Sequence, residues 1–206
     1  MGMAFDTLYL GNTLGSYLFF FLILVGAVLI GKTFYWLSKN ILRKFFEKTR
    51  NNFDNILLDV LERPLVFLIF IIGLMIGLNT LVLSSRMAEV FGNVTVILFI
   101  LDGTWFITGL VDALLTFYIH PLTTKTKSDL DDHLLPILKK LSKVVIIAIA
   151  LIMIIDNFGY DVTSLIAGLG LGGLAFALAA QDMLGNMFGG VAILTDKPFK
   201  VGQRIK

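Results

Sequence analysis

Intramembrane acids, two histidines and a glycine-rich run are the residues here whose types could do chemistry. Asp102 and Asp112 lie inside one long apolar segment. Acids so placed mark proton relays or ion pathways by default, so they could serve a transporter. They could also pair with a basic residue or sit near an interface, and the sequence identifies no partner. Gly168-Leu-Gly170-Leu-Gly172-Gly173 satisfies G-x-G-x-x-G. That fingerprint needs a preceding strand and a βαβ unit, and neither is present. Asp129, Asp131 and Asp132 fit a solvated loop better than a calcium site, and His120 and His133 show no metal spacing. The sequon Asn93-Val-Thr95 sits beside an apolar span and is incidental. Cysteine is absent, so no thiolate site or disulfide framework is expected. No nucleic-acid-binding module is visible. The expectation is a protein with no enzymatic activity and no cofactor.

Composition gives the solvent. Of 206 residues 57% are hydrophobic and 16% charged, with mean hydropathy +0.87. Soluble domains carry roughly 25% charged residues. The chain is therefore expected to be an all-α membrane protein with membrane lipids as partners. The segment before Thr13 has no Lys or Arg, so no signal peptide is expected.

A crossing helix needs about 20 apolar residues. Five stretches qualify: Leu14–Leu37, Leu65–Leu83, Val90–Ile119, Pro136–Ile155, and one starting near Val162. Basic residues mark the cytoplasmic side. Lys39, Arg43, Lys44, Lys48, Arg50 and Arg63 follow the first span. Lys125, Lys127, Lys139, Lys140 and Lys143 lie between the third and fourth. Lys197, Lys200, Arg204 and Lys206 end the chain, and only Arg86 falls opposite. This fits a multi-pass protein of the cell membrane with its N-terminus outside and its C-terminus cytoplasmic. Ile41, Leu42, Phe45 and Phe46, then Ile56, Leu57, Val60 and Leu61, recur at helical spacing among charges. They read as interfacial amphipathic helices or as extensions of the spans. Gly73-Leu-Met-Ile-Gly77 is a G-x-x-x-G that could be a helix contact or ordinary span composition.

The fifth span is the unusual one. On a helix, Ala167, Leu171, Leu174, Leu178 and Gln181 share one face. Gly170, Gly173, Ala177 and Ala180 lie on one flank; Gly168, Gly172, Ala175 and Ala179 lie on the other. Glycine weakens a helix by about 1 kcal/mol relative to alanine. In lipid, small residues offset that cost by letting backbones approach closely. Two small flanks suit a ring of copies with the leucines facing its axis, where they would block ions by dewetting. A small stripe can equally pack inside one bundle. Asp182 could cap a new helix, Met183–Leu194, with its own small spacing at Gly185 and Gly189. The expected helix is thus broken at Gln181-Asp182. Pro198 cannot continue a helix, and Phe199–Gly202 alternates like a strand.

The run "GLAFALAAQDMLGNMFGGVAILTDKPFKVGQRI" resembles the pore helix and first cytoplasmic strand of the small-conductance mechanosensitive channel family (MscS-like). The resemblance covers about Thr163–Ile205. It implies homoheptamers gated by membrane tension, closed by two leucine rings at Leu174 and Leu178. It implies packing at Gly170, Gly173, Ala175 and Ala177, a hinge at Gln181-Asp182 and a second flexible point at Gly190. A well-known member has glycine where this chain has Asp182. The family continues into a β domain and a cytoplasmic vestibule, so this chain is expected to be a fragment. The expected organisation is a four-span sensor at 1–160, a broken pore helix at 161–195 and the start of a β domain at 196–206. The expected function is a tension-gated channel releasing ions and small solutes on osmotic downshock. The rival reading is an ion- or proton-coupled transporter using Asp102 or Asp112.

Overall fold

A computed structural model of the chain describes residues 8–9, 11–42, 53–123 and 130–196. Strands β1 (Leu8–Tyr9) and β2 (Asn12–Thr13) form a short antiparallel hairpin turned at Gly11, φ 81°. Helix α1 (Leu14–Leu37) runs into a π-helical turn, Ser38–Leu42. Then come α2 (Phe53–Leu78), α3 (Ser85–Thr123), α4 (Leu130–Asn157) and α5 (Thr163–Asp196). The chain forms two compact units, Met1–Tyr160 and Asp161–Lys206.

In the first unit each helix packs on the next: α1 on α2, α2 on α3, α3 on α4. Thr13 starts α1 by accepting the Ser16 backbone N–H at 3.2 Å, a standard N-cap. The polarity is inverted relative to a soluble bundle. Among the described residues the buried apolar ones are Ala27, Ile71 and Ala150, while Asn12, Ser38, Glu62, Thr95 and Asp102 are buried polar ones. Large side chains such as Phe21, Leu22, Ile30, Ile149 and Leu151 are exposed. Water would not tolerate so much exposed apolar area on one array, whereas hydrocarbon makes it the natural outer surface. Threonines close their hydroxyls on their own helices in the same spirit. Thr33 donates to the Leu29 carbonyl at 2.7 Å and Thr104 to that of Ile100 at 2.6 Å.

Glycines bring these helices together. A Cβ on Gly73 would overlap that of Ala27 on α1, and one on Gly77 would meet the Phe20 ring at 3.0 Å. Gly31 admits Val66 in the same way, and Gly109 on α3 admits Val60 on α2. The Gly73-x-x-x-Gly77 motif is therefore a real α1–α2 contact.

Two expectations change and an open one is narrowed. Among the described residues four helices are long and apolar enough to cross a membrane, within Leu14–Ile41, Leu58–Leu78, Ser85–Phe117 and Thr163–Gly190. The fourth expected span lies in α4, where only the residues from Val144 to Ile155 are uncharged between Lys143 and Asp156. That is about 18 Å of helix, against about 30 Å of hydrocarbon. The second span ends at Leu78, not Leu83. There Thr80 caps the last turn, its hydroxyl donating to the Gly77 carbonyl at 2.7 Å. Its charged start, with Asp59, Glu62 and Arg63, is continuous with α2, so Ile56–Leu61 extends a span instead of forming a separate interfacial helix. Ile41 and Leu42 lie in the π-helical turn, while Phe45 and Phe46 lie outside the described residues. Apart from Asp196, so does the β segment expected at 196–206.

Candidate pore helix

Helix α5 begins after a tight turn. Gly159 takes φ 78°, a left-handed conformation that favours glycine, and its N–H reaches the Asp156 carbonyl at 2.8 Å. Asp161 then accepts the Thr163 backbone N–H at 2.9 Å. The hydrogen bond from the Thr163 side chain, followed by this backbone one, holds the exposed Asp161 carboxyl below its ordinary value.

From Thr163 the helix runs 34 residues to Asp196. The expected break at Gln181-Asp182 is absent, a correction to the broken-helix expectation. Gln is a good helix former and Asp a mediocre one, neither removes a backbone N–H, and the next glycine is three positions on. One unbroken helix therefore carries all the candidate residues. Gln181, Asp182, Gly185 and Gly190 lie within it. Ala167, Leu171, Leu174, Leu178 and Gln181 keep their common face. Leu171, Leu174 and Leu178 are 68%, 57% and 63% exposed. A Cβ on Gly168, Gly170, Gly172, Gly173, Gly185 or Gly190 would meet nothing within 4 Å. Ala175, Ala177 and Ala179 are exposed as well, and Ala180 is half-buried.

The intramembrane acids differ from each other. Asp112 faces α4, with Lys139 Nζ 3.8 Å from its Oδ1. The sequence offered no sign of that partner, because the two residues lie on different helices. Asp102 is buried, and its Oδ1 has no hydrogen-bond partner among the described residues. No cluster of metal-ligating residues occurs among the described residues. Sequence reading also missed a clasp: Asn12 donates Nδ2–H to the Val82 carbonyl at 2.8 Å and accepts the Val82 N–H at 2.6 Å. A lone Asn in a short hairpin carries no signal of a partner seventy residues away.

Helices with apolar outer faces, buried small or polar residues and one long Gly/Ala-rich member define a multi-pass membrane protein. Residues 140–181 match the family described as mechanosensitive ion channel, transmembrane helices 2/3. The small-conductance mechanosensitive channel MscMJ of Methanocaldococcus jannaschii is 36% identical over 196 residues, 95% of this chain and 56% of the relative. The large-conductance mechanosensitive channel MscMJLR of the same organism is 34% identical over 195 residues, 94% of this chain and 54% of the relative. An uncharacterized MscS family protein of Bacillus subtilis, YhdY, is 48% identical over 91 residues, 44% of this chain and 24% of the relative. No solved structure matches. The chain belongs to the MscS-like family of mechanosensitive channels. It spans about half the length of the first two curated relatives.

Proposed function

We propose that the chain is the membrane part of a mechanosensitive channel subunit that opens when bilayer tension rises. The observation that carries this reading is α5, with its leucine stripe between two small, unobstructed flanks, in a chain related to named mechanosensitive channels. Leu174 and Leu178 would form the closed constriction, with Ala167, Leu171 and Gln181 lining the same path. Gly168, Gly170, Gly172, Gly173, Ala175, Ala177, Ala179 and Ala180 would pack between copies in a ring, a heptamer by family resemblance. Gln181, Asp182, Gly185 and Gly190 would be where the helix yields on assembly or gating, since glycines there weaken it most. α4 would cross the bilayer despite its short uncharged run, because Lys139, Lys140 and Lys143 can snorkel; the family description spans its end. Five crossings, with the basic residues on the cytoplasmic side, would put the N-terminus outside and the C-terminus in the cytoplasm. Tension favours whichever state occupies more membrane area, which shifts a closed–open population. Opening would release ions and small solutes on osmotic downshock.

The test is patch recording of the full-length protein under suction. Stretch-activated steps are expected; their absence in correctly assembled protein would sink the reading. A second reading, a proton-coupled transporter, draws on the orphaned Oδ1 of buried Asp102. Asp102→Asn separates the two. A channel keeps its stretch-activated steps, whereas a relay through that acid loses proton-coupled flux.

A further inference from the structure

The unit Met1–Tyr160 holds a polar cavity of about 520 Å3 where α1, α2 and α3 converge. Tyr35 comes from α1, Lys39 from its π-helical turn, Asp59, Glu62 and Arg63 from α2, and Trp105 from α3. Counted from Ser85, Trp105 lies about 30 Å along α3, which equals the thickness of the hydrocarbon core. With Ser85 at one interface, the cavity opens at the headgroup level of the other leaflet, the depth where Tyr and Trp side chains concentrate.

The charges lining it are unusual. Glu62 is only 7% exposed. Among the described residues, the side chains of Lys39, Glu62 and Arg63 take part in no hydrogen bond or ion pair. Asp59, on the same wall, is already engaged. The Glu62 carboxylate opens to the cavity and gains from a donor placed there, and with Asp59 engaged elsewhere Lys39 and Arg63 suit an anion beside it. A group that suits this lining brings a phosphate-like acceptor and an N–H donor together.

We propose that this cavity binds the headgroup of a phospholipid carrying a primary amine, such as phosphatidylethanolamine. Its phosphate sits between Lys39 and Arg63, whose guanidinium suits phosphate oxygens. Its ammonium donates to Glu62. A choline headgroup has no N–H to give, and a glycerol headgroup has no cation. The site lies on α1–α3, and its detection needs no conduction.

The experiment is native mass spectrometry of delipidated full-length protein, offered equal amounts of phosphatidylethanolamine, phosphatidylcholine and phosphatidylglycerol with identical acyl chains. The ethanolamine lipid is expected to be retained about tenfold more than the others, the worth of one charge-assisted hydrogen bond. Arg63→Gln should lower retention of all three lipids together, since each carries the phosphate. Glu62→Gln should bring the ethanolamine lipid down to the level of the glycerol lipid, and Lys140→Gln on α4 should change nothing. Equal retention of all three lipids by the unmodified protein overturns the proposal, and that ranking needs no variant to fold. So does retention indifferent to both Arg63→Gln and Glu62→Gln. Soluble glycerophosphoethanolamine is the last arm. If it competes as well as the lipid does, the site serves a soluble phosphate ester and the membrane assignment falls.

Discussion

The two units use glycine in opposite ways. In α1–α3 Gly31, Gly73, Gly77 and Gly109 each face a named neighbour in the same unit, at distances a side chain would violate or strain. In α5, Gly168, Gly170, Gly172 and Gly173 face open space. The physical rule is the same in both places: in lipid, small residues exist to let backbones close up. One set is satisfied within the chain. The other makes sense only against another surface, and copies of α5 are the surface we propose. Glycine alone does not reveal which case applies; the atoms a Cβ would meet do.

Gly73→Leu against Gly173→Leu should break that comparison most sharply. At Gly73 even a Cβ overlaps Ala27, so α1 and α2 must separate. Overpacking costs about 1–3 kcal/mol, and a backbone contact belongs at the top of that range. Expression and the melting temperature of the purified protein should fall steeply. Gly173→Leu should leave the melting of the first unit unchanged but alter oligomer mass or tension threshold. If both variants melt like the parent and assemble normally, the contrast is meaningless.

Leu178→Ser sharpens the proposed side of the comparison. Leu174 and Leu178 are one turn apart, about 6 Å along the axis. Stacked rings of them would make a short apolar collar that excludes ions because water leaves it. Serine is smaller but wets the collar, so leak at rest or opening at lower tension is expected in patch recordings. Leu165→Ser, on the opposite face of α5, should behave as the parent. A Leu178→Ser channel that stays shut at normal threshold would place the constriction elsewhere.

Much of this was legible from spacing. Helical content, most span positions and the leucine stripe follow from apolar run length and a 3.6-residue period. Those signals are local, and what was missed was not. Lys139 reaches Asp112 from another helix, Asn12 finds Val82 across the chain, and Glu62 is buried by helices that the sequence could not place beside it. The break expected at Asp182 failed for another reason. Capping ability shows what a residue can do at a helix start, not that a helix must start there. Gly73 was ambiguous because G-x-x-x-G is also common by composition in apolar spans.

Asn12→Ala is the next smaller effect. It removes both hydrogen bonds to Val82, at about 1 kcal/mol each net. Because Val82 itself is exposed, water can replace the partner and limit the loss. Faster amide exchange at Val82 is expected, with a melting shift of a few degrees and no change in α5. Unchanged exchange at Val82 would mean the clasp does not hold in the membrane.

The smallest effect lies at the start of α5, where Asp161 binds Thr163. Its carboxyl is held below the ordinary value, first by the Thr163 side chain and then by the Thr163 backbone N–H. A group whose folded value is depressed stabilises the fold above its unfolded value, about 3.9 for Asp. That contribution fades as pH falls through the depressed value. The first turn of α5 should therefore fray only in acid below the ordinary carboxylate range, with no change between pH 5 and neutrality. Because Asp161 is exposed, the change should be local and invisible in global melting. Amide protection at Thr163–Ala167, measured from pH 5 downward, reads it directly. Asp161→Asn keeps an acceptor oxygen but cannot titrate, so its profile should be flat where the parent's falls. Parallel profiles for the two would show that the acid start of α5 contributes nothing, and that the helix is held from within.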